Sequence, residues 1–394
     1  DRGGFRFPPQ FTIPDDLHTL AAVARRVCPC TSGGTVRLKI LIATAAMLVA
    51  LPIVGAGAAS PRSEAALRGA EFIRTTQQPD GGFGGFGPGQ SLDAIFAVRS
   101  AGIDPKTFVT GGKSPADFVR VHANDLAASP ALAGKAALAA RALGLDARDV
   151  AGVDFIAAIV AGYEATTGQY AEDAFSQSLA MLGLACAGGG PVPAGAVLAL
   201  RETQLEDGGW GFGGFADADS TGLALQALIA AGVPVNDPAI VRAVAYLRAT
   251  QGNDGGWGFG PDESNANSTA LAVQGLLAAG EDVDAAAYAK TGVTPIAFLL
   301  SIQRPDGSFP GFDPAFATNQ AVPALAGKTL CDAPNTPIRT APAVGASPTP
   351  KPPATGEGNE PVATTPGGNA AIAATLVLAI GAGVLALGGK RSRR

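Results

Sequence analysis

Two aspartates separated by one residue, in the segment Asp217-Ala218-Asp219-Ser220-Thr221, are the side chains of this sequence best placed to do chemistry. A carboxyl group that stays protonated donates a proton as a general acid. The same residue types are also preferred helix N-caps, because their side-chain oxygens accept hydrogen bonds from free backbone amides. The segment therefore predicts either an acid site at Asp219 or a capped helix start at Asp217 and Asp219.

Comparable polar stretches recur along the chain, each before an apolar helical segment. Helix N-termini carry partial positive charge and free amide donors. If these helices run in the same direction, their N-termini converge at one end of the fold, and we predict a polar ligand-binding mouth there. The predicted mouth contains Asp173, Trp210, Phe212, Asp217, Asp219, Trp257, Phe259, Asn265, Asn267 and Asn319.

Two alternating sets of helical segments position these residues. The first set is apolar nearly all round and ends in glycines that are 42 to 48 residues apart. Its segments span residues 95–102, 131–144, 177–188, 221–232, 268–280 and 318–327. The second set carries an apolar stripe at helical spacing and spans residues 63–78, 115–129, 149–167, 193–204, 238–251 and 294–303.

This pattern predicts an all-α body of six helical hairpins, with the first set as the inner layer and the second set as the outer layer. An open stack of hairpins leaves two apolar ends that need caps. The sequence shows no such caps, so we predict a closed α6/α6 toroid that spans residues 60–331.

The turn from outer to inner helix carries a repeated motif in which glutamine is followed three residues later by aspartate and then by glycine. Its residues are Gln77, Asp80, Gln204, Asp207, Gln251, Asp254, Gln303 and Asp306. A Trp or Phe follows in each copy, whereas the repeats near residues 123 and 169 lack the motif. These turns resemble the QxxDGGW repeats of squalene and oxidosqualene cyclases and of protein prenyltransferases. We expect their Gln and Asp to be structural.

The resemblance also implies a role for residues 217–221, which are similar to the DxDDT acid motif of hopene-type cyclases. Asp219 would be the general acid that protonates an alkene, although Ser220 stands where that motif has its third aspartate. The copy at Asn265 and Asn267 is not acidic, and the inner helices hold few aromatics. We therefore favour a non-catalytic ligand-binding module, with a class II terpene cyclase as the alternative.

Composition narrows the remaining function classes. Residues 60–389 hold 18 of the 28 basic and 30 of the 33 acidic residues, which argues against a nucleic-acid partner. The two histidines, His18 and His122, do not supply a prenyltransferase-type zinc site, and we expect neither metal nor cofactor. Glycan hydrolysis, which needs two facing carboxylates, stays open. Cys186 and Cys331 form either a disulfide or two separate thiols.

Both ends of the chain look like targeting segments. Residues 1–35 form an unstructured leader or an over-extended reading frame, and 36–59 have the charge, apolar run and small residues of a signal peptide. After the body, residues 332–369 are a Pro-, Thr- and Ala-rich stalk, 370–389 form a transmembrane anchor, and 390–394 form a basic cytoplasmic tail. The segment around Thr355 resembles a sortase sorting signal.

We therefore expect the toroid on the outer face of the cell, anchored in the membrane or wall. There it would bind a small molecule or a surface ligand whose identity the sequence leaves open.

Overall fold

The structure, a computed structural model, describes residues 60–85, 87–259 and 263–339. These residues lie within the second of two compact units of the chain, Ala59–Arg394. The predicted leader, signal peptide, membrane anchor and basic tail, and most of the predicted stalk with Thr355, lie outside the described residues. Among the residues that the structure describes, no helix is long and apolar enough to cross a bilayer.

Helices make up nearly all of the regular structure in the described ranges. They are α1 (Pro61–Thr75), α2 (Pro88–Ser100), α3 (Pro115–Val121), α4 (Ala123–Leu126), α5 (Pro130–Ala142), α6 (Phe155–Ala161), α7 (Ala174–Cys186), α8 (Ala194–Glu202), α9 (Ala218–Ala230), α10 (Pro238–Thr250), α11 (Ala266–Ala278), α12 (Pro295–Ile302) and α13 (Pro314–Leu325). Strand β1 (Trp210–Phe212) pairs antiparallel with β2 (Phe215–Asp217). The predicted helical class is confirmed for this part of the chain.

Six of these helices, α2, α5, α7, α9, α11 and α13, form an inner ring. Each packs against the next member of the series, and α13 packs against α2, so that the ring is closed. Their composition follows from this position: in α9, every residue from Ser220 to Leu228 is buried. A helix that is covered on nearly all sides must be apolar nearly all round.

Neighbouring inner helices approach each other closely at glycines. A Cβ atom at Gly134 of α5 would lie 2.3 Å from the Leu179 carbonyl oxygen of α7. One at Gly222 of α9 would lie 2.2 Å from the Leu271 carbonyl oxygen of α11. Carbon atoms normally pack at about 3.5–4.0 Å, so larger residues do not fit there. Small residues thus set the spacing of the ring.

The remaining helices form an outer layer against the ring. Helix α10 shows why: Ile240, Ala243, Val244 and Leu247 are buried, whereas Arg242 is exposed on the opposite face. Apolar residues three and four apart give the single buried stripe of a surface helix.

The observed helix bounds differ from the predicted ones in three places. The predicted outer helix 115–129 is divided into α3 and α4 at His122, and the predicted helix 149–167 is reduced to α6. A tight turn at Ala151, whose φ is 54°, precedes α6, and Asp154 caps its start. The inner helices begin earlier than predicted, because Asp217 and Asn265 are their N-caps.

Residues 328–339, which we call the tail, pack across the C-terminal ends of the inner helices. The Leu330 amide donates to the Gln226 side chain of α9 at 2.9 Å. The Arg339 amide donates to the Gly102 carbonyl oxygen, just after α2, at 2.8 Å. Ala333 is fully buried. The folded body therefore extends past the predicted boundary at residue 331, because the start of the expected stalk packs against the ring.

Two further links fasten the tail. The Arg141 guanidinium at the end of α5 donates to the Asn335 side-chain oxygen at 2.9 Å. Cys331 forms a disulfide with Cys186, the last residue of α7, with a Cα–Cα distance of 5.3 Å. Of the two alternatives for these cysteines, the disulfide is the one formed. The tail thus closes the far end of the ring.

Candidate functional site

The four motif turns make the same hydrogen bonds. The Gln251 side-chain amide donates to the carbonyl oxygens of Gly255, in its own turn, and of Tyr288, in the next repeat, both at 2.8 Å. The Asp254 carboxylate accepts from the Gly256 amide at 3.1 Å. Equivalent bonds are made by Gln77 and Asp80, Gln204 and Asp207, and Gln303 and Asp306. These residues join adjacent repeats.

The tryptophans of the motif are also structural. Trp210 and Trp257 are only 0% and 1% exposed. Their indole N–H groups donate to the carbonyl oxygens of Leu200 and Leu247 at 2.7 and 2.8 Å. A buried indole needs such a partner. Both side chains therefore lie in the core and do not line the predicted mouth.

One side chain near the start of five inner helices, which we call the anchor residue, ties that helix to the preceding turn. The Ser91, Thr221, Thr269 and Thr318 hydroxyls accept from the amide of the motif aromatic residue at 2.8 to 3.0 Å. Gln177 of α7 accepts from the Tyr170 amide at 2.7 Å in a repeat without the motif. Sequence reasoning missed Gln177, although, like Thr221, it follows an N-cap aspartate by four residues.

The anchor residues identify the face of the inner helices that looks into the ring. They point towards the outer layer. Residues two positions before or after them lie about 200° away around the helix and therefore point towards the centre of the ring. The residues on this inward side are partly exposed near the helix N-termini and nearly fully buried deeper in the ring, so the central space is narrow. We call this space the lumen.

Two layers of residues face the lumen by this criterion. The layer nearer to the helix N-termini contains Gly89, Phe175, Asp219, Asn267 and Phe316, all of which keep partial exposure. A second layer, about 6 Å deeper, contains Asp93, Leu179, Leu223, Leu271 and Gln320. Lys135 of α5 joins this layer, because its ammonium lies 2.7 Å from the Asp93 carboxylate. The lumen therefore has apolar walls with a few separated polar groups.

Asp217 and Asp219 have different environments despite their proximity in sequence. Asp217 is the N-cap of α9: its carboxylate accepts from the Ser220 amide at 2.6 Å and from the Ser220 hydroxyl at 3.0 Å. Asp219 lies in the first turn of α9 and caps nothing. Its Oδ1 atom is buried and has no hydrogen-bond partner among the described residues. Of the two predicted alternatives, capping thus applies to Asp217 alone.

Burial raises the pKa of the Asp219 carboxyl to about 7, and repulsion from Asp217 adds to this shift, whereas a hydrogen bond from Ser268 opposes it. Burial also raises the pKa of Asp217 to about 6, although the Ser220 hydrogen bonds oppose that shift. Asp219 is densely surrounded by protein, yet part of the residue remains accessible, as expected beside a narrow internal space. Near neutral pH, a large fraction of Asp219 is therefore protonated and able to donate.

The other residues of the predicted mouth are scattered. Asp173 and Asn265 are the N-caps of α7 and α11. Asn319 is buried and donates to the Gln90 carbonyl oxygen of α2 at 3.4 Å, so it lies between helices. Phe212, the last residue of β1, is partly exposed, and Phe259, in the loop before α11, is 39% exposed.

Asn267 is the other predicted residue that reaches the lumen. Its side-chain amide donates to the Gln320 side-chain oxygen at 2.9 Å. In the described part of the chain, no cluster of three or more His, Cys, Asp or Glu residues is arranged to hold a metal ion.

Comparisons with known proteins agree with this architecture. Residues 127–320 match the family described as the squalene-hopene cyclase C-terminal domain. No curated protein matches the sequence. Among solved structures, a protein from Actinoplanes is similar with a TM-score of 0.52 and 16% identity, over 68% of this chain and 99% of that chain.

A second similar structure is the type II terpene cyclase MstE from Scytonema, in a variant bound to its substrate geranylgeranyl dihydroxybenzoate. It has a TM-score of 0.51 and 15% identity, over 69% of this chain and 98% of that chain. At such identities the likeness concerns the fold. Together, the family match over residues 127–320, these two structural likenesses and the closed ring are consistent with a squalene cyclase-like toroid.

Proposed function

We propose that the lumen binds a mainly apolar ligand of the isoprenoid class, and that the toroid acts as a ligand-binding module. The observation that carries this proposal is Asp219: a lumen-facing carboxyl group with no capping role, one unpartnered oxygen and a raised pKa. A buried polar atom without a hydrogen-bond partner lowers the stability of the fold unless a ligand or a water molecule forms the missing hydrogen bond.

The walls around Asp219 suit such a ligand. Phe175 and Phe316 contribute aromatic surface in its layer, and Leu179, Leu223 and Leu271 contribute aliphatic surface below it. Because the tail covers the far end, the ligand would enter at the mouth, near the N-termini of the inner helices. A mostly apolar pocket with a few placed polar groups is the usual form of a small-molecule site.

The second candidate is class II cyclisation, in which Asp219 protonates an alkene of the bound isoprenoid. The raised pKa of Asp219 favours it, because an acid must hold its proton at working pH. Phe175 and Phe316 would face the developing carbocation, which aromatic faces stabilise. Isoprenoid cyclisation is also the activity for which MstE is named.

One experiment separates the two candidates. The purified chain and its Asp219→Asn variant are incubated with squalene and with geranylgeranyl dihydroxybenzoate, and both binding and products are measured. A binding module retains the ligand unchanged. A cyclase yields product, and the variant loses roughly 100- to 10,000-fold in rate. Asp207→Asn, a turn carboxylate outside the lumen, is the matched control and should behave like the parent. Absence of binding to every isoprenoid would refute both candidates.

We also propose that residues 370–389 anchor the chain, with the toroid at the cell surface. Twenty uncharged residues followed by a basic cluster support this topology. Deletion of 370–394 should release the protein into the medium. Thr355→Ala should change wall attachment only if a sortase cleaves there. Retention of the truncated protein in the membrane fraction would contradict the anchor.

A further inference from the structure

A second polar position lies deeper in the lumen than Asp219, at the ion pair between Lys135 of α5 and Asp93 of α2. The ammonium and carboxylate are 2.7 Å apart, and the two side chains are 17% and 11% exposed. Both belong to inner helices whose outward side is covered, so the exposed part of each faces the lumen. The pair is therefore accessible to a bound ligand.

Lys135 has hydrogen-bonding capacity that the protein leaves unused. An ammonium group carries three N–H donors. Among the described residues, Asp93 is the hydrogen-bond partner of Lys135, at 2.7 Å. At least one further donor is thus available, and the residues at the same depth of α7 and α9 are Leu179 and Leu223, whose side chains accept no hydrogen bond. A ligand oxygen would complete this group.

The net charge of the Lys135–Asp93 pair determines which type of ligand oxygen can bind there. Lys135 and Asp93 together are neutral, so a carboxylate or phosphate on the ligand would add an uncompensated charge beside Asp93. Burial already raises the pKa of the Asp93 carboxyl despite the nearby lysine. A hydrocarbon would leave the donor unpaired. A hydroxyl or carbonyl oxygen accepts the hydrogen bond and adds no charge.

We propose that Lys135, held by Asp93, is a specificity site that binds the uncharged hydroxyl or carbonyl oxygen of an isoprenoid ligand. The apolar chain of this ligand lies against Leu179, Leu223 and Leu271 and extends towards Asp219. This assignment rests on the proposed isoprenoid binding. It adds that the ligand is an alcohol or ketone and not a hydrocarbon or an acid.

The test uses three probes of equal chain length: geranylgeraniol, the corresponding hydrocarbon and geranylgeranoic acid. Equilibrium dialysis against the purified chain gives the three dissociation constants. A hydrogen bond to a charged donor corresponds to roughly a tenfold preference or more, so the alcohol should bind at least about tenfold tighter than either other probe.

The double variant Asp93→Asn/Lys135→Met removes both charges together, which avoids leaving one buried charge unpaired. Its preference for the alcohol should fall to within about twofold, because the charged donor is gone. Arg201→Met/Asp237→Asn removes an ion pair of the outer layer and is the matched control, with the preference retained. Lys135→Arg keeps a charged donor and should also retain it, which preserves the test if the double variant does not fold.

Equal binding of alcohol and hydrocarbon by the parent, or a preference that survives in the double variant, would overturn the role of Lys135 while leaving isoprenoid binding intact. Tightest binding of the acid would also overturn it. Failure of all three probes to bind would instead refute the proposed function, and this inference with it.

Discussion

At the far end of the lumen, three residues of the inner helices are linked to the tail, whereas at the mouth Asp219 keeps a buried oxygen without a partner among the described residues. Gln226 bonds the Leu330 amide, Arg141 bonds Asn335, and a disulfide adds a covalent link. Towards the mouth, the lumen-facing layer is partly exposed. The same ring thus has one end built for stability and one end left open to a ligand.

This difference has a physical basis in where polar groups are satisfied. A buried polar atom without a partner costs about 1–3 kcal/mol, so a protein tolerates it only where something else compensates. At the far end the tail supplies hydrogen-bond partners for Gln226 and Arg141. At the mouth we propose that a ligand supplies the partner. Changes at the far end should therefore alter stability alone, and changes at the mouth should alter binding and pH dependence.

The largest expected effect is at the far end, on removal of the disulfide. Cys186 and Cys331 are 145 residues apart, and cross-links that close long loops stabilise by about 2–5 kcal/mol. The Cys186→Ala/Cys331→Ala variant should lose this amount in urea unfolding, while the affinity of the lumen for an isoprenoid stays within about twofold. The reduced parent is the control and should match the variant. If reduction leaves the unfolding midpoint unchanged, the tail is not held by this link.

The second prediction concerns the pH dependence of stability at the mouth. Because the pKa of Asp219 is raised from 3.8 to about 7 by folding, the folded state binds more protons than the unfolded state between these values. Its ionisation therefore destabilises the fold progressively as pH rises from about 4 to 7. Each pKa unit corresponds to about 1.4 kcal/mol. The unfolding free energy of Asp219→Asn minus that of the parent should therefore be larger at pH 8 than at pH 4, by on the order of 1–3 kcal/mol.

Urea titrations of the parent and variant at pH 4, 6 and 8 measure this difference. Asp217, whose pKa is also raised, is present in both proteins, so the comparison isolates Asp219 and its repulsion with Asp217. Asp207→Asn, in a turn outside the lumen, is the control. A difference between Asp219→Asn and the parent that is constant across this range would show that folding does not raise the pKa of Asp219.

The third prediction compares equivalent residues of two neighbouring helices. Gln226 of α9 and Gln274 of α11 both follow their anchor threonine by five residues and are buried. Gln226 accepts from Leu330, whereas the Gln274 Oε1 atom has no partner in the described part of the chain. Gln226→Leu should cost about 1–3 kcal/mol, because it leaves the Leu330 amide unpaired. Gln274→Leu should be within about 0.5 kcal/mol of the parent. Equal losses in urea unfolding would contradict the pairing.

Most of the ring was predictable from the sequence because its cause is local. Apolar periodicity, terminal glycines and the motif turns each repeat, and the predicted closure is confirmed by the packing of α13 against α2. Three features were not predicted, two for local reasons and one for a long-range reason. The short α6 and the division at His122 depend on turns that carry no motif, and the tail looked like stalk because its burial depends on contacts with distant helices.

The site was less predictable because its side chains come together only through ring geometry. Asp217 and Asp219 are both recognisable as candidates from their residue type. Which of them caps α9 depends on the exact residue at which the helix begins. Trp210 was placed at the mouth by its neighbours in sequence, yet its indole points into the core. Lys135 and Asp93 carry no motif at all. Their pairing follows from the packing of α2 against α5.

The smallest expected effect is at the rim of the mouth. Phe215, at the start of β2, is 80% exposed, and Trp210, opposite Asp217 in the same hairpin, is fully buried. Phe215→Ala should change the free energy of unfolding by less than about 0.5 kcal/mol, as surface substitutions usually do. Trp210→Ala, the buried counterpart, should cost about 3–5 kcal/mol. A loss above about 1 kcal/mol for Phe215→Ala would mean that the Phe215 side chain is covered in solution. The mouth would then be less open than we propose.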